Sequence, residues 1–258
     1  MREQSVNFDR IANKYDETRG FPEGVPAQVA KFIHEIGQLS STHTILEIGV
    51  GTGRIALPLA NHVGKYYGID ISEGMLQYLR NNHTQQPLFV NVGDAEKLPF
   101  PNNSFDSIVI VHVLHLVRDP KPVADELARV LKPDGVILNG FGGHSDAIKP
   151  LQEVWSQAKK TYRDKPPTFN SYDILPNLGW EQIGDIHTMS YPITQSPSYF
   201  LEQIKARSWS STWDVTDEDL NVAVAELEAV IEKRYDDPNI EIPSEGTFNL
   251  QILHPPQP

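Results

Sequence analysis

The sequence predicts an α/β protein built on an open, mostly parallel sheet, with helices on both faces, a C-terminal antiparallel strand pair and a helical cap inserted before the last strand. Three observations predict it. Short runs rich in Ile and Val recur between His43 and Gly142, each closed by Gly, Asp or His, as buried parallel strands are. Apolar residues at helical spacing lie between these runs, and such alternation makes right-handed crossovers and a parallel sheet. Further on, about 55 residues separate the last two strand-like runs, too many for a hairpin loop.

Each element has its own local reason. Phe8, Ile11, Ala12 and Tyr15 form an apolar stripe, which predicts an amphipathic helix over residues 5–18. Thr44–Ile48, Tyr66–Asp70, Leu88–Val92, Asp106–Val111 and Val136–Phe141 read as buried strands. Between the last two, Val123, Leu127, Val130 and Leu131 fall on one helix face, and Lys132-Pro133-Asp134-Gly135 stops that helix and turns the chain into the next strand. Pro58 lies in the first helix and removes the bond to the Arg54 carbonyl, so a kink is expected there. Ile183–Tyr191 and Thr247–His254 read as two further strands. Thr216 and Asp219 have capping-box spacing, followed by Leu220, Val224, Leu227 and Ile231 on one face. The expected division is an N-terminal helical lid (1–36), a sheet domain (37–195 and 244–258) and an inserted helical cap (196–243).

Composition narrows the function classes. The 258 residues carry 22 Lys and Arg against 34 Asp and Glu, a net charge of −12. Nucleic-acid and membrane-surface binding need clustered cations, so neither is expected as a partner. Of that charge, −9 falls between Ser211 and Leu250, with 11 acidic and 2 basic residues, and reads as a solvated face. A hydrophobic content of 39% supports a core. With no cysteine, disulfides, thiolate zinc sites and cysteine nucleophiles are excluded. No secretory h-region is visible, and the longest nearly apolar run, Ser107–Val117, falls short of the roughly 20 residues of a membrane span. The expectation is a soluble, cytoplasmic protein without stable membrane association.

The chemistry begins at Ile45–Arg54, a strand, a glycine loop and a helix start. Glycines let the backbone turn and approach a ligand, and a helix start offers free N–H groups. Gly49, Gly51 and Gly53 stand at every second position, unlike the G-x-G-x-x-G of dinucleotide folds. Glu47, two residues ahead of the first glycine, would repel a pyrophosphate and suits a ligand bearing an ammonium group; the bland alternative is a solvated Glu beside an ordinary turn. Asp70 ends the second strand, where a carboxylate accepts both hydroxyls of a ribose, a feature equally suited to a nicotinamide cofactor. Asp94, just past the third strand, suits an adenine amino group, with the Ala95 N–H beside it; alone it would be a turn residue.

Together, LEIGVGTGRIALPLA, YYGIDISEGML, GDAEKLPFPNNSFDSIVIVHVLHLV, ELARVLKPDGVI and the N-terminal FDRIANKYDETR resemble class I S-adenosylmethionine-dependent methyltransferases. The likeness covers roughly residues 7–142 and is to the branch that includes ubiquinone/menaquinone-biosynthesis enzymes. It implies a Rossmann-like fold, S-adenosylmethionine as cofactor and S-adenosylhomocysteine as product. It further implies that Glu47 and the Gly49–Gly53 loop hold the methionine part, Asp70 the ribose, and Asp94 with Ala95 the adenine. Ile71, next to Asp70, belongs to the same cofactor set. Met75 either packs near ribose and adenine or belongs to the helix core. Tyr15 closes the pocket or packs its own helix, and Arg19 reaches the methionine carboxylate.

Methyl transfer needs alignment and water exclusion more than a protein nucleophile. His112, at the end of the fourth strand, is expected beside the cofactor, either as the group that takes the acceptor's proton or as a hydrogen-bonded structural residue. His115 and, after the fifth strand, His144 are further candidates. Arg207, Trp209 and Trp213 either line the acceptor pocket beneath the cap or form the cap's own core. No metal is expected. The acceptor is read as a small molecule, its reacting atom undetermined. A nicotinamide-dependent oxidoreductase and a non-catalytic S-adenosylmethionine-binding protein are the alternatives, and the sequence carries no reading of oligomeric state.

Overall fold

The computed structural model describes residues 8–9, 21–82, 87–142, 146–162 and 171–256. The expected N-terminal helix over 5–18 lies outside them, apart from Phe8 and Asp9. The first described helix, α1 (Val25–Ile36), buries Val25, Val29, Ala30 and Ile33. The strands are β1 (Thr44–Ile48), β2 (Lys65–Asp70), β3 (Leu88–Val92), β4 (Phe105–Val111), β5 (Leu131–Gly142), β6 (Glu181–Gln182), β7 (His187–Gln195) and β8 (Ile242–His254). They form one sheet in the order β3-β2-β1-β4-β5-β8-β6, with β7 also paired to β8. Pairs from β3 to β5 are parallel, whereas β8 runs antiparallel to β5 and β6. Four of the five residues of β1 are buried, and in β4 all but Asp106. Burial on both faces is why these strands read as near-continuous apolar runs.

The remaining helices are α2 (Ala56–Leu59), α3 (Glu73–Asn82), α4 (Pro120–Val130), α5 (Lys149–Tyr162), α6 (Ser171–Asn177), α7 (Pro197–Lys205) and α8 (Asp217–Arg234). The cap of α4 is Asp119, whose carboxylate accepts from the Lys121 N–H. Two expectations are corrected here. Pro58 does not kink a long helix: α2 is one α-helical turn that passes into a 3₁₀ turn at Ala60–His62. Lys132–Gly135 does not precede the fifth strand but bulges within it, because Leu131 already pairs with Phe105 and pairing resumes at Ser107 and Val136. Lys132 Nζ then reaches Asp106 Oδ1 at 2.7 Å. The strand expected at 183–191 starts later, at His187, as β7; β6 precedes it, and the backbone turns between them at Gly184, φ 65°.

The chain divides into two compact units. The first comprises Met1–Gly142, Phe169–Met189 and Phe248–Pro258, and the second Gly143–Thr168 and Ser190–Thr247. The first holds the parallel strands and a core that includes Ile48, Ile108, Ile110, Val123, Leu127 and Trp180. The second is built on its own core, in which Leu151 and Trp155 of α5 pack with Phe200, Ile204, Leu227 and Ile231. The cap expected at 196–243 therefore shares one core with α5 and belongs to a larger unit than expected. Of the expected capping box, the N-cap half is seen: Thr216 Oγ1 accepts from the Asp219 N–H at 3.1 Å. No described helix is long and apolar enough to cross a membrane.

Candidate functional site

In an open parallel sheet, ligands bind beyond the strand carboxyl ends, where neighbouring connections part to opposite faces. Here β1 lies between β2 and β4. A pocket opens at that point, bordered by Gly49, Gly51, Asp70, Ile71, Met75, Asp94, Ala95 and His112. Eight residues singled out from sequence thus share one cavity, although they span more than 60 positions of the chain.

The loop after β1 owes its shape to backbone geometry that only glycine adopts freely. Gly49 has φ 71°, its N–H donates to the Ile69 carbonyl at 2.7 Å, and a Cβ added there would lie 2.3 Å from Val113 Cγ2. Gly51, φ 55°, faces the pocket; a Cβ there would point at Met75 Cε and Asp70 Oδ2, filling the cradle. Gly53 lies behind the loop against Leu79 and does not border the pocket.

Asp70 is held from two sides. Its Oδ2 accepts from the Gly51 N–H and its Oδ1 from the Ser72 N–H, both at 2.8 Å. Burial raises its pKa above the ordinary carboxylate value; the two N–H bonds oppose this, and the charge of Asp9 adds to it. Each carboxylate oxygen has a second lone pair, so Asp70 can still accept from a ligand hydroxyl.

Glu47 departs from expectation. It is 2% exposed and lies under the loop rather than on the pocket wall. The Tyr66 hydroxyl donates to its Oε2 at 2.8 Å. Burial pushes the Glu47 carboxyl up to about 8; the Tyr66 bond and Arg54 oppose this, while Asp70 adds to it. Burial, then Glu47, hold the Tyr66 hydroxyl well above its ordinary value, so it remains a donor. A carboxyl whose pKa is raised on folding contributes stability that is fully present below its unfolded value of 4.5 and is lost as pH rises through about 8. Glu47→Gln is therefore expected to flatten the fall in Tm across that window. A variant whose Tm falls with pH as steeply as the parent's would contradict a late-titrating carboxyl.

Asp94 closes a turn, its Oδ1 accepting from the Glu96 N–H at 2.9 Å, and the residue borders the pocket. Met75 is both core and wall, buried on α3 and exposed to the cavity at one end. His112 has φ 58° and donates its N–H to the Gly140 carbonyl at 3.1 Å. A non-glycine residue in that region is uncommon and marks a constrained position. His115 lies on the 3₁₀ turn Leu114–Leu116 and does not border the pocket. Tyr15, Arg19 and His144 lie outside the described residues.

Arg207, Trp209 and Trp213 are engaged within the second unit. Arg207 donates to the Thr212 and Val215 carbonyls and to Asp217, the Trp213 indole donates to the Arg207 carbonyl at 2.8 Å, and Trp209 packs on Phe200. Sequence reasoning missed Phe8 as a wall of the pocket, and Asp9 and Ser72 beside it. The available signal was the FDRIANKYDETR segment, in which Phe8 read only as part of a helical stripe. Among the described residues, no group of three or more His, Cys, Asp or Glu is arranged to hold a metal ion.

A family model described as a methyltransferase domain matches residues 46–139. The ubiquinone/menaquinone biosynthesis C-methyltransferase UbiE of Coxiella burnetii is 32% identical over 181 residues, 67% of each chain. The biotin biosynthesis bifunctional protein BioHC of Cellvibrio japonicus is 34% identical over 151 residues, 58% of this chain; the match spans only 29% of that protein. In fold, the YcgJ protein of Bacillus subtilis superposes with a TM-score of 0.59 at 18% identity, covering 90% of this chain and 99% of the other.

Proposed function

The chain belongs to the class I S-adenosylmethionine-dependent methyltransferases, in the branch of the ubiquinone/menaquinone-biosynthesis enzymes, and from that premise we propose that it methylates a small-molecule acceptor. The observation that carries the cofactor reading is the Asp70 carboxylate, tied to the Gly51 N–H of the glycine loop and facing the same cavity as Asp94 and Ala95. A half-buried acceptor at a strand end, next to a glycine-rich loop, fits a ribose diol with a charged tail running over the glycines. Met75, Ile71 and Leu116 offer apolar surface to the base. Bound S-adenosylmethionine supplies an electrophilic methyl group on a sulfonium.

The chain's own contribution is then position and dryness. Asp70 and the loop orient, and the apolar walls Val111, Val113 and Val117 exclude water. His112, on the same wall, is the side chain proposed to take a proton where the acceptor loses one. Glu47, under the loop, is proposed to offset the ammonium charge of the methionine part. The second compact unit lies outside the matched stretch 46–139 and is proposed to select the acceptor.

The test is incubation of the purified chain with methyl-labelled S-adenosylmethionine across a panel of small oxygen, nitrogen and carbon acceptors. Label transfer to one class, with stoichiometric S-adenosylhomocysteine, is expected. Binding without transfer to any acceptor would leave a cofactor-binding protein, and no binding would remove the reading.

A further inference from the structure

We propose that Asp9 is a positioning residue that ties the Phe8–Asp9 backbone to the start of α3 and so holds Phe8 as a wall of the cofactor pocket; this rests on the reading that S-adenosylmethionine occupies that pocket. Asp9 Oδ1 accepts from Ser72 Oγ at 2.5 Å and from the Gly74 N–H at 2.9 Å, partners 63 and 65 residues away in the chain. Ser72 is 1% exposed and fully engaged: its Oγ accepts from the Met75 N–H at 3.1 Å and its N–H donates to Asp70 Oδ1. A continuous path of hydrogen bonds therefore runs from Asp9 through Ser72 and Asp70 to Gly51 of the glycine loop.

The two neighbours divide the work. Asp9 is exposed, whereas Phe8 is 8% exposed and borders the pocket with Asp70, Ile71 and Met75. Asp9 also lies close enough to Asp70 to disfavour that carboxylate's charge. A second acid beside a ligand-binding acid is unfavourable by itself; the N–H groups at the start of α3 and the Ser72 hydroxyl offset it. Phe8 thus forms part of the pocket wall, and the Asp9 hydrogen bonds set how firmly it is held there.

The experiment compares the full chain with Asp9→Ala, Asp9→Asn, Phe8→Ala and the Phe8→Ala/Asp9→Ala double variant, measuring S-adenosylhomocysteine association and dissociation by stopped flow. Asp9→Ala is expected to weaken binding roughly tenfold, mostly through faster dissociation, with the unliganded Tm unchanged. Asp9→Asn keeps an acceptor oxygen and should recover most of the loss. The double variant should bind no worse than Phe8→Ala, because Asp9 acts through Phe8. Unchanged affinity in Asp9→Ala, or losses that add in the double variant, would overturn the proposal. Hydrogen exchange on the ligand-free chain reads the latch separately: the Gly74 amide should exchange about tenfold faster in Asp9→Ala, and equal exchange would refute the latch. Failure of the unaltered chain to bind would instead refute the cofactor reading and, with it, the role of Phe8 as a wall.

Discussion

Asp70→Ala is expected to weaken S-adenosylmethionine binding by about 1.5–3 kcal/mol, more than tenfold in Kd, the usual worth of hydrogen bonds to a charged group. Two losses combine. The ribose would lose its proposed acceptor, and the Gly51 and Ser72 N–H groups would lose the carboxylate that now joins loop to helix. Asp70→Asn, which keeps one acceptor oxygen but brings N–H donors toward one of those N–H groups, should fall in between. Calorimetric titration reads the effect directly, and an unchanged Kd for Asp70→Ala would remove the ribose assignment.

Gly49→Ala is expected to cost about 2–4 kcal/mol of fold stability, from a left-handed backbone combined with overpacking. The added methyl would sit 2.3 Å from Val113 Cγ2, on the segment that leads from β4 into the pocket wall, so the loop or Val113 must shift. Cofactor binding should be lost even in the fraction that folds, because relief requires the loop or Val113 to move. A companion Val113→Ala change should recover part of the stability by removing the colliding methyls. A Tm for Gly49→Ala equal to that of the parent would show that the loop is not held as described.

The parallel sheet was legible because its chemistry is local. β1 and β3 begin and end where the apolar runs do, and β2 starts one residue earlier, at Lys65. Glycine and acid punctuation at the strand ends marked the pocket for the same reason: side chains at the ends of adjacent parallel strands converge in space. What escaped depends on partners distant in sequence. The Lys132–Gly135 bulge follows from pairing between Leu131 and Phe105, which a turn signal does not encode. The direction of Glu47 follows from register: Ile45 pairs with Tyr66 and Glu47 with Gly68, so Tyr66 is a diagonal neighbour of Glu47. Asp9 was invisible as a latch because its acceptor role needs Ser72 and Gly74. In the second unit, the apolar stripe of α8 (Leu220, Val224, Leu227 and Ile231) was legible as a helix face, but nothing local specified that it would share a core with α5 and α7.

A crystal structure of the chain grown with S-adenosylhomocysteine tests the central claim most directly. The account predicts the ligand at the carboxyl ends of β1, β2 and β4, with both ribose hydroxyls on Asp70, the base beside Ala95 and Phe8, and the amino-acid tail over Gly49 and Gly51. A ligand bound elsewhere, or bound in this pocket with no ribose oxygen within hydrogen-bond distance of Asp70, would contradict it.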